Sequence, residues 1–174
     1  MAAPREGRKP RMVVMGVSGC GKSSLGRALA ARLDLPFVEG DDLHPPANVA
    51  RMAAGTPLTD EDRQGWLQAV AERLTAAEDS GAVVACSALK RSYRDLLRQS
   101  APELQLVHLQ GSEALLDTRL RSRAGHYMPA SLLPSQLRTL EPPQADERAW
   151  TLSIEAPLAD QVQAVLEALE KSPA

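Results

Sequence analysis

Gly16-Val17-Ser18-Gly19-Cys20-Gly21-Lys22-Ser23 is the stretch that decides the fold. It has the spacing G-x-x-x-x-G-K-[ST] and follows directly on the apolar run Met12-Val13-Val14-Met15. A short β-type run, a glycine turn and then a helix is the setting in which this spacing holds phosphate. The glycines let the backbone curl so that successive N–H groups converge on phosphate oxygens. The next helix adds the positive end of its dipole, and Leu25, Ala28, Leu29 and Leu33 supply its apolar face. Gly16, Val17, Ser18, Gly19, Cys20 and Gly21 therefore read as a phosphate cradle, with Ser24 at its edge. Lys22 can reach the β- and γ-phosphates, and the Ser23 hydroxyl can ligate Mg²⁺. Cys20 stands where only a small side chain fits.

Outward from this loop, the chain of 174 residues is long enough for one domain with its own core. A net charge of -2 argues against a partner such as nucleic acid held by a bulk positive field. Aromatic residues make up 3% of the chain, too few for a base-stacking surface. Cys20 and Cys86 are the two cysteines, with no metal-type spacing, which suits a reducing cytoplasmic setting. No apolar run approaches the ~20 residues of a membrane span. Residues 1–10 carry Arg5, Arg8 and Lys9 with two prolines and no apolar stretch, so a flexible basic tail is expected rather than a secretory signal.

Short apolar runs alternate with longer helical patterns. Strands are expected at 11–15, 36–39, 82–86, 105–109 and 150–154, and helices at 22–33, 59–79, 88–99, 112–123 and 158–170. Near-continuous apolar strands separated by helices indicate a parallel sheet covered on both faces, hence a three-layer α/β fold with ligands at the carboxyl ends of the strands. The second strand is expected beside the phosphate-loop strand. Thr59-Asp60-Glu61-Asp62 reads as a capping box. Two proline-bearing segments interrupt the alternation, one at about 40–66 and one at about 124–143. They are expected to be a substrate-binding insertion and a lid within a single domain over 11–174.

Phosphoryl transfer needs metal, charge neutralisation and an oriented acceptor. Asp41, in Glu39-Gly40-Asp41-Asp42, can take a proton from a substrate hydroxyl and help hold Mg²⁺ through water. Arg119 and Arg123 are four residues apart, share a helix face and can clamp a nucleotide. His44, Arg51 and Arg63 in the insertion suit an anionic acceptor such as a sugar acid. Lys90 at a helix start reads as a further phosphate or substrate contact. The third strand ends in Ser87, not in an acid, so the metal is left to Ser23, phosphates, waters and Asp41. Ser87-Ala88-Leu89-Lys90 also matches S-x-x-K, but neither S-D-N nor K-T-G follows.

Taken together, these residues resemble the gluconokinases of the P-loop kinase group. The resemblance rests on the phosphate loop, Gly40-Asp41 with His44-Pro45, Asp62-Arg63 with Trp66-Leu67, Cys86-Ser87-Ala88-Leu89-Lys90, Tyr93-Arg94-Asp95-Leu96-Leu97-Arg98, and Gly125-His126 with Thr139-Leu140-Glu141. It implies a P-loop kinase fold with a five-stranded parallel sheet and a helical lid, ATP and Mg²⁺ as cofactors, and D-gluconate phosphorylated at its terminal hydroxyl. It also implies His126 among the substrate contacts, a cytoplasmic setting and a homodimer. Cys20 stands where the family commonly has serine, and Arg51 where lysine is usual. A shikimate- or nucleoside-type kinase, or a nucleotide-binding regulator without turnover, are the alternative readings.

Overall fold

The computed structural model describes residues 7–122 and 129–172. Strand β1 (Arg11–Met15) is buried along its whole length. Met12 and Val14 enter one core, Val13 and Met15 the other, the two-residue alternation of a strand covered on both faces. Four further strands, β2 (Phe37–Glu39), β3 (Ala82–Ala85), β4 (Gln105–Gln110) and β5 (Trp150–Ser153), complete a parallel sheet in the order β2-β3-β1-β4-β5. Val13 is opposite Val84 of β3 on one side and Leu106 of β4 on the other.

Helices close both faces. Leu25 and Leu29 of α1 (Lys22–Leu33), Leu116 and Leu120 of α5 (Glu113–Arg121), and Val162 and Val165 of α7 (Leu158–Lys171) join the Met12 core. Trp66, Leu67, Val70 and Leu74 of α3 (Asp60–Ala76), with Tyr93 and Leu97 of α4 (Arg91–Ser100), fill the Val13 core. The capping box opens α3 as expected: the Asp62 N–H donates to Thr59 Oγ1 at 3.1 Å, and the Thr59 N–H to Asp62 Oδ2 at 3.0 Å. Among the described residues no helix is long and apolar enough to cross a membrane.

Three expectations change. First, β2 is not beside β1; β3 lies between them. The chain leaving β2 nevertheless reaches the site because Gly40 crosses the end of β3. A Cβ on Gly40 would lie 2.2 Å from the Ala85 carbonyl oxygen, so only glycine permits that approach. Second, the helix expected from residue 88 begins at Arg91, because Ala88 is left-handed at φ 44 and residues 87–90 form a loop. Third, the two proline-bearing segments contain short helices, α2 (Pro46–Ala53) and α6 (Leu133–Thr139). Each has a proline in its first turn, where the missing N–H costs nothing. Each is also too short to show a helical repeat.

Candidate active site

The phosphate loop joins the buried end of β1 to α1. Gly21 precedes α1 with φ 93 and brings no capping side chain, so the first-turn N–H groups are left for an anion. At the other end of the loop, the Gly16 N–H donates to the Ser87 carbonyl at 3.3 Å, tying the loop to the end of β3. A Cβ on Gly16 would meet Cys20 Sγ at 2.7 Å, so glycine at position 16 leaves room for the Cys20 side chain. Lys22 Nζ folds back on its own loop and donates to the Val17 carbonyl at 3.0 Å. The Ser23 hydroxyl donates to Glu39 Oε2.

An open cavity faces this loop. Ser18 and Lys22 line it from the phosphate side, Asp41, His44 and Arg63 from the insertion, and Ser87 and Gln136 from the remaining walls. Of the residues expected from the sequence, Ser18, Lys22, Asp41, His44 and Arg63 are thus brought together.

His44 stacks on Trp66, with ring centroids 4.2 Å apart and planes 14° from parallel. Trp66 is itself fixed by donating its indole N–H to the Gly40 carbonyl at 2.8 Å. Burial and then the Arg63 charge push the His44 pKa down to about 4. The ring is therefore neutral near pH 7. Its Nδ1 lies 3.3 Å from Asn48 Nδ2, and the amide also donates to the Asp62 carbonyl at 2.8 Å. With Nδ1 accepting, the proton of His44 sits on Nε2.

The basic residues separate. Arg63 reaches the cavity and donates through Nη1 to the Tyr93 hydroxyl oxygen at 3.1 Å. Tyr93 in turn donates to Asp60. Lys90 does not line the cavity; its Nζ holds both Asp60 oxygens at 2.9 and 3.0 Å. Arg51 is half exposed and pairs with Asp62 at 3.2 Å. Arg119 donates to the Ile154 carbonyl at 2.8 Å, just beyond β5. Arg123 and His126 lie outside the described residues.

Behind the Ser87 wall is a buried ion pair. Arg94 Nε and Nη2 meet the two Glu147 oxygens at 2.6 and 3.0 Å, and Arg94 Nη1 donates to the carbonyls of Ala88 and Leu89 at 2.9 and 3.2 Å. Both side chains are almost wholly buried, at 0% and 1% exposure. The pair holds the left-handed turn at Ala88, and with it the Ser87 carbonyl that receives Gly16. Burial pushes the neighbouring Cys86 thiol up to about 12, so it is inert.

Sequence reasoning gave no role to Glu39 or Gln136. Glu39 is the last residue of β2, two positions before Asp41, which already lies in the 3-10 turn that follows. Gln136 carried no signal, because its partner is the backbone N–H of Ser18.

Comparison with known proteins places this architecture. A family model described as an AAA domain matches residues 12–143. A gluconokinase of Gluconobacter oxydans is 54% identical over 144 residues, spanning 81% of this chain and 81% of that protein. The chain belongs to the gluconokinase family. The thermoresistant gluconokinase of Escherichia coli is 41% identical and covers 91% of this chain and 93% of its own. A solved gluconokinase structure from Sinorhizobium meliloti superposes with a TM-score of 0.85 at 51% identity, covering 94% of both chains. A shikimate kinase from Bacteroides thetaiotaomicron, at 19% identity and a TM-score of 0.62, shares the fold. Gluconokinase family membership thus agrees with the parallel sheet and with the phosphate loop at its centre.

Proposed function

We propose that this protein transfers the γ-phosphoryl group of ATP to the terminal hydroxyl of D-gluconate, giving 6-phospho-D-gluconate and ADP. The observation that carries this reading is the meeting of Lys22, Asp41 and Arg63 on one cavity. Lys22 belongs to the phosphate loop, Asp41 is a carboxylate at the acceptor side, and Arg63 is the acceptor-side cation that reaches the cavity.

Lys22 would leave the Val17 carbonyl for the phosphates of bound ATP, and the loop N–H groups other than that of Ser18 would take phosphate oxygens. Arg63, held by Tyr93, takes the carboxylate of gluconate. The acceptor oxygen attacks phosphorus, the bond to the ADP oxygen breaks, and Asp41 receives the hydroxyl proton. His44, neutral, offers its Nε2–H to an acceptor oxygen. Mg²⁺ would neutralise charge on the β- and γ-phosphates when bound with ATP. The Ser23 hydroxyl and the Glu39 carboxylate, already joined, form the oxygen-only set that this hard cation prefers. We read residues 11–174 as a single kinase domain, cytoplasmic and homodimeric, with the insertion at about 40–66 as acceptor site.

A coupled ADP-release assay with D-gluconate, shikimate, a nucleoside and several aldonic acids tests the proposal. Gluconate is expected to exceed the other classes by orders of magnitude. Preference for shikimate or a nucleoside would reassign the acceptor, and ATP binding without acceptor-dependent ADP release would make the chain a nucleotide-binding regulator.

A further inference from the structure

Ser18 is the third residue of the phosphate loop, and its backbone N–H donates to Gln136 Oε1 at 2.7 Å. Gln136 is the residue on helix α6 that also lines the cavity, beside Asp41 and Arg63. One uncharged side chain therefore touches the phosphate loop and faces the acceptor space.

The backbone beneath it is anchored at both ends. Leu133, in the first turn of α6, is buried in the main core, and Leu132 packs with Met52 and Leu58 of the insertion. Past the helix, the Glu141 N–H donates to the Leu89 carbonyl at 2.7 Å, and Glu141 Oε1 accepts the Arg91 N–H at 3.0 Å. Helix α6 is thus tied to the rest of the fold at both ends, and Gln136 spans from it to Ser18. A carboxamide is planar and carries an acceptor oxygen and two N–H donors. Fixing the oxygen on Ser18 also fixes the nitrogen.

We propose that Gln136 is a specificity-determining residue for the acceptor. Its amide N–H donates to a hydroxyl oxygen of the polyhydroxy acid while its carbonyl stays on the Ser18 N–H. The acceptor chain is thereby registered against the same loop that holds the phosphoryl donor. This inference rests on the gluconate reading above.

The test uses the full chain and two variants. Gln136→Leu removes both halves of the amide. Gln136→Glu keeps an oxygen for Ser18 but replaces the N–H donors, and it serves alone if the leucine variant fails to fold. Calorimetry with D-gluconate in the presence of a non-hydrolysable ATP analogue gives acceptor affinity without turnover, and steady-state assays give KM and kcat. Both variants are expected to weaken gluconate about 10- to 100-fold, the loss typical of a buried donor removed from its partner. In the neutral leucine variant, affinity for the ATP analogue should stay within about threefold, since the other loop N–H groups remain. Gluconate affinity within about threefold of wild type in the glutamate variant would overturn the proposal. So would tighter nucleotide binding with unchanged gluconate affinity in the leucine variant, which would make Gln136 a plug on the Ser18 N–H. Wild-type protein that binds no gluconate overturns the functional reading itself, at a stage before any variant is compared.

Discussion

The hydroxyl of Ser23, in the first turn of α1, donates to the carboxylate of Glu39, the last residue of β2. Two segments separated by β3 in the sheet thus meet at the phosphate-binding end. Replacing Glu39 by glutamine keeps the size and removes the charge that a bound cation would feel. Glu39→Gln is expected to raise the Mg²⁺ concentration for half-maximal activity by about 10-fold or more, the usual loss when a partner of a metal ligand is altered. A Mg²⁺ titration of ADP release measures it, with metal-free ADP binding as the control that should not move.

Asp41 is placed to accept the proton of the attacking hydroxyl. Asp41→Asn should lower kcat by about 10²- to 10⁴-fold, the range of general-base contributions, while leaving ATP affinity nearly unchanged. Near-full turnover in this variant would remove the assigned role.

Arg51, Arg63 and Lys90 carry the same charge in different company. Arg51 is held by Asp62 and Lys90 by Asp60, whereas Arg63 enters the cavity. Arg63→Met should raise the gluconate KM by about 10- to 100-fold, as expected for losing a charge-assisted hydrogen bond. Arg51→Met should raise it at least about tenfold less. Measuring KM for both variants side by side checks the ordering.

His44 has a folded-state pKa of about 4, set first by burial and then by Arg63, against an ordinary value of 6.5. From pH 8 down to 5.5 the ring stays neutral, so the gluconate KM should show no inflection near 6.5 from this group. The sign for stability follows. Below pH 6.5 the unfolded chain takes up a proton that the folded chain refuses until about pH 4, so His44 favours unfolding progressively across that window. An NMR titration of His44 and the melting temperature of a His44→Gln variant between pH 4 and 7 report the two effects.

Glu147 pairs with Arg94 in the interior. Burial alone would raise its pKa, but hydrogen bonds from Arg94, the Gln144 N–H and Arg98 hold it down to about 2. Its contribution to stability is therefore fully present above the ordinary 4.5 and is lost as the pH falls through about 2. Glu147→Ala, which strands the Arg94 charge, is expected to cost about 3–5 kcal/mol of stability. Arg94→Met combined with Glu147→Leu should recover part of that by removing both charges, the rest being held back by the Ala88 and Leu89 carbonyls that lose their donor. Denaturant unfolding of the single and double variants decides the point.

What could be read from the sequence is what nearby residues determine. The β1 run, the glycine turn and the Thr59–Asp62 box are each settled within a few positions, and the structure has all three. The bonds that complete the site are not local. Ser18 and Gln136 are 118 positions apart, and Ser23 and Glu39 are 16 apart. Neither a backbone donor nor a side-chain amide leaves a pattern that periodicity can detect. The basic cluster was legible as residue types, but its division was not. The carboxylates that occupy Arg51 and Lys90 lie in the first turn of α3, where they also read as helix-start acids. The order of β2 and β3 escaped for a related reason: the glycine that lets the chain cross the end of β3 looks like any loop glycine.

The sheet order also governs when the protein can first work. β1 is made early, yet its two hydrogen-bonded neighbours are β3 and β4, the latter ending at Gln110. A growing polypeptide leaving the ribosome would carry the whole phosphate loop long before either flank exists to support it. The loop therefore gains its full support only when β4, nearly a hundred positions after it begins, has joined the sheet beside β1.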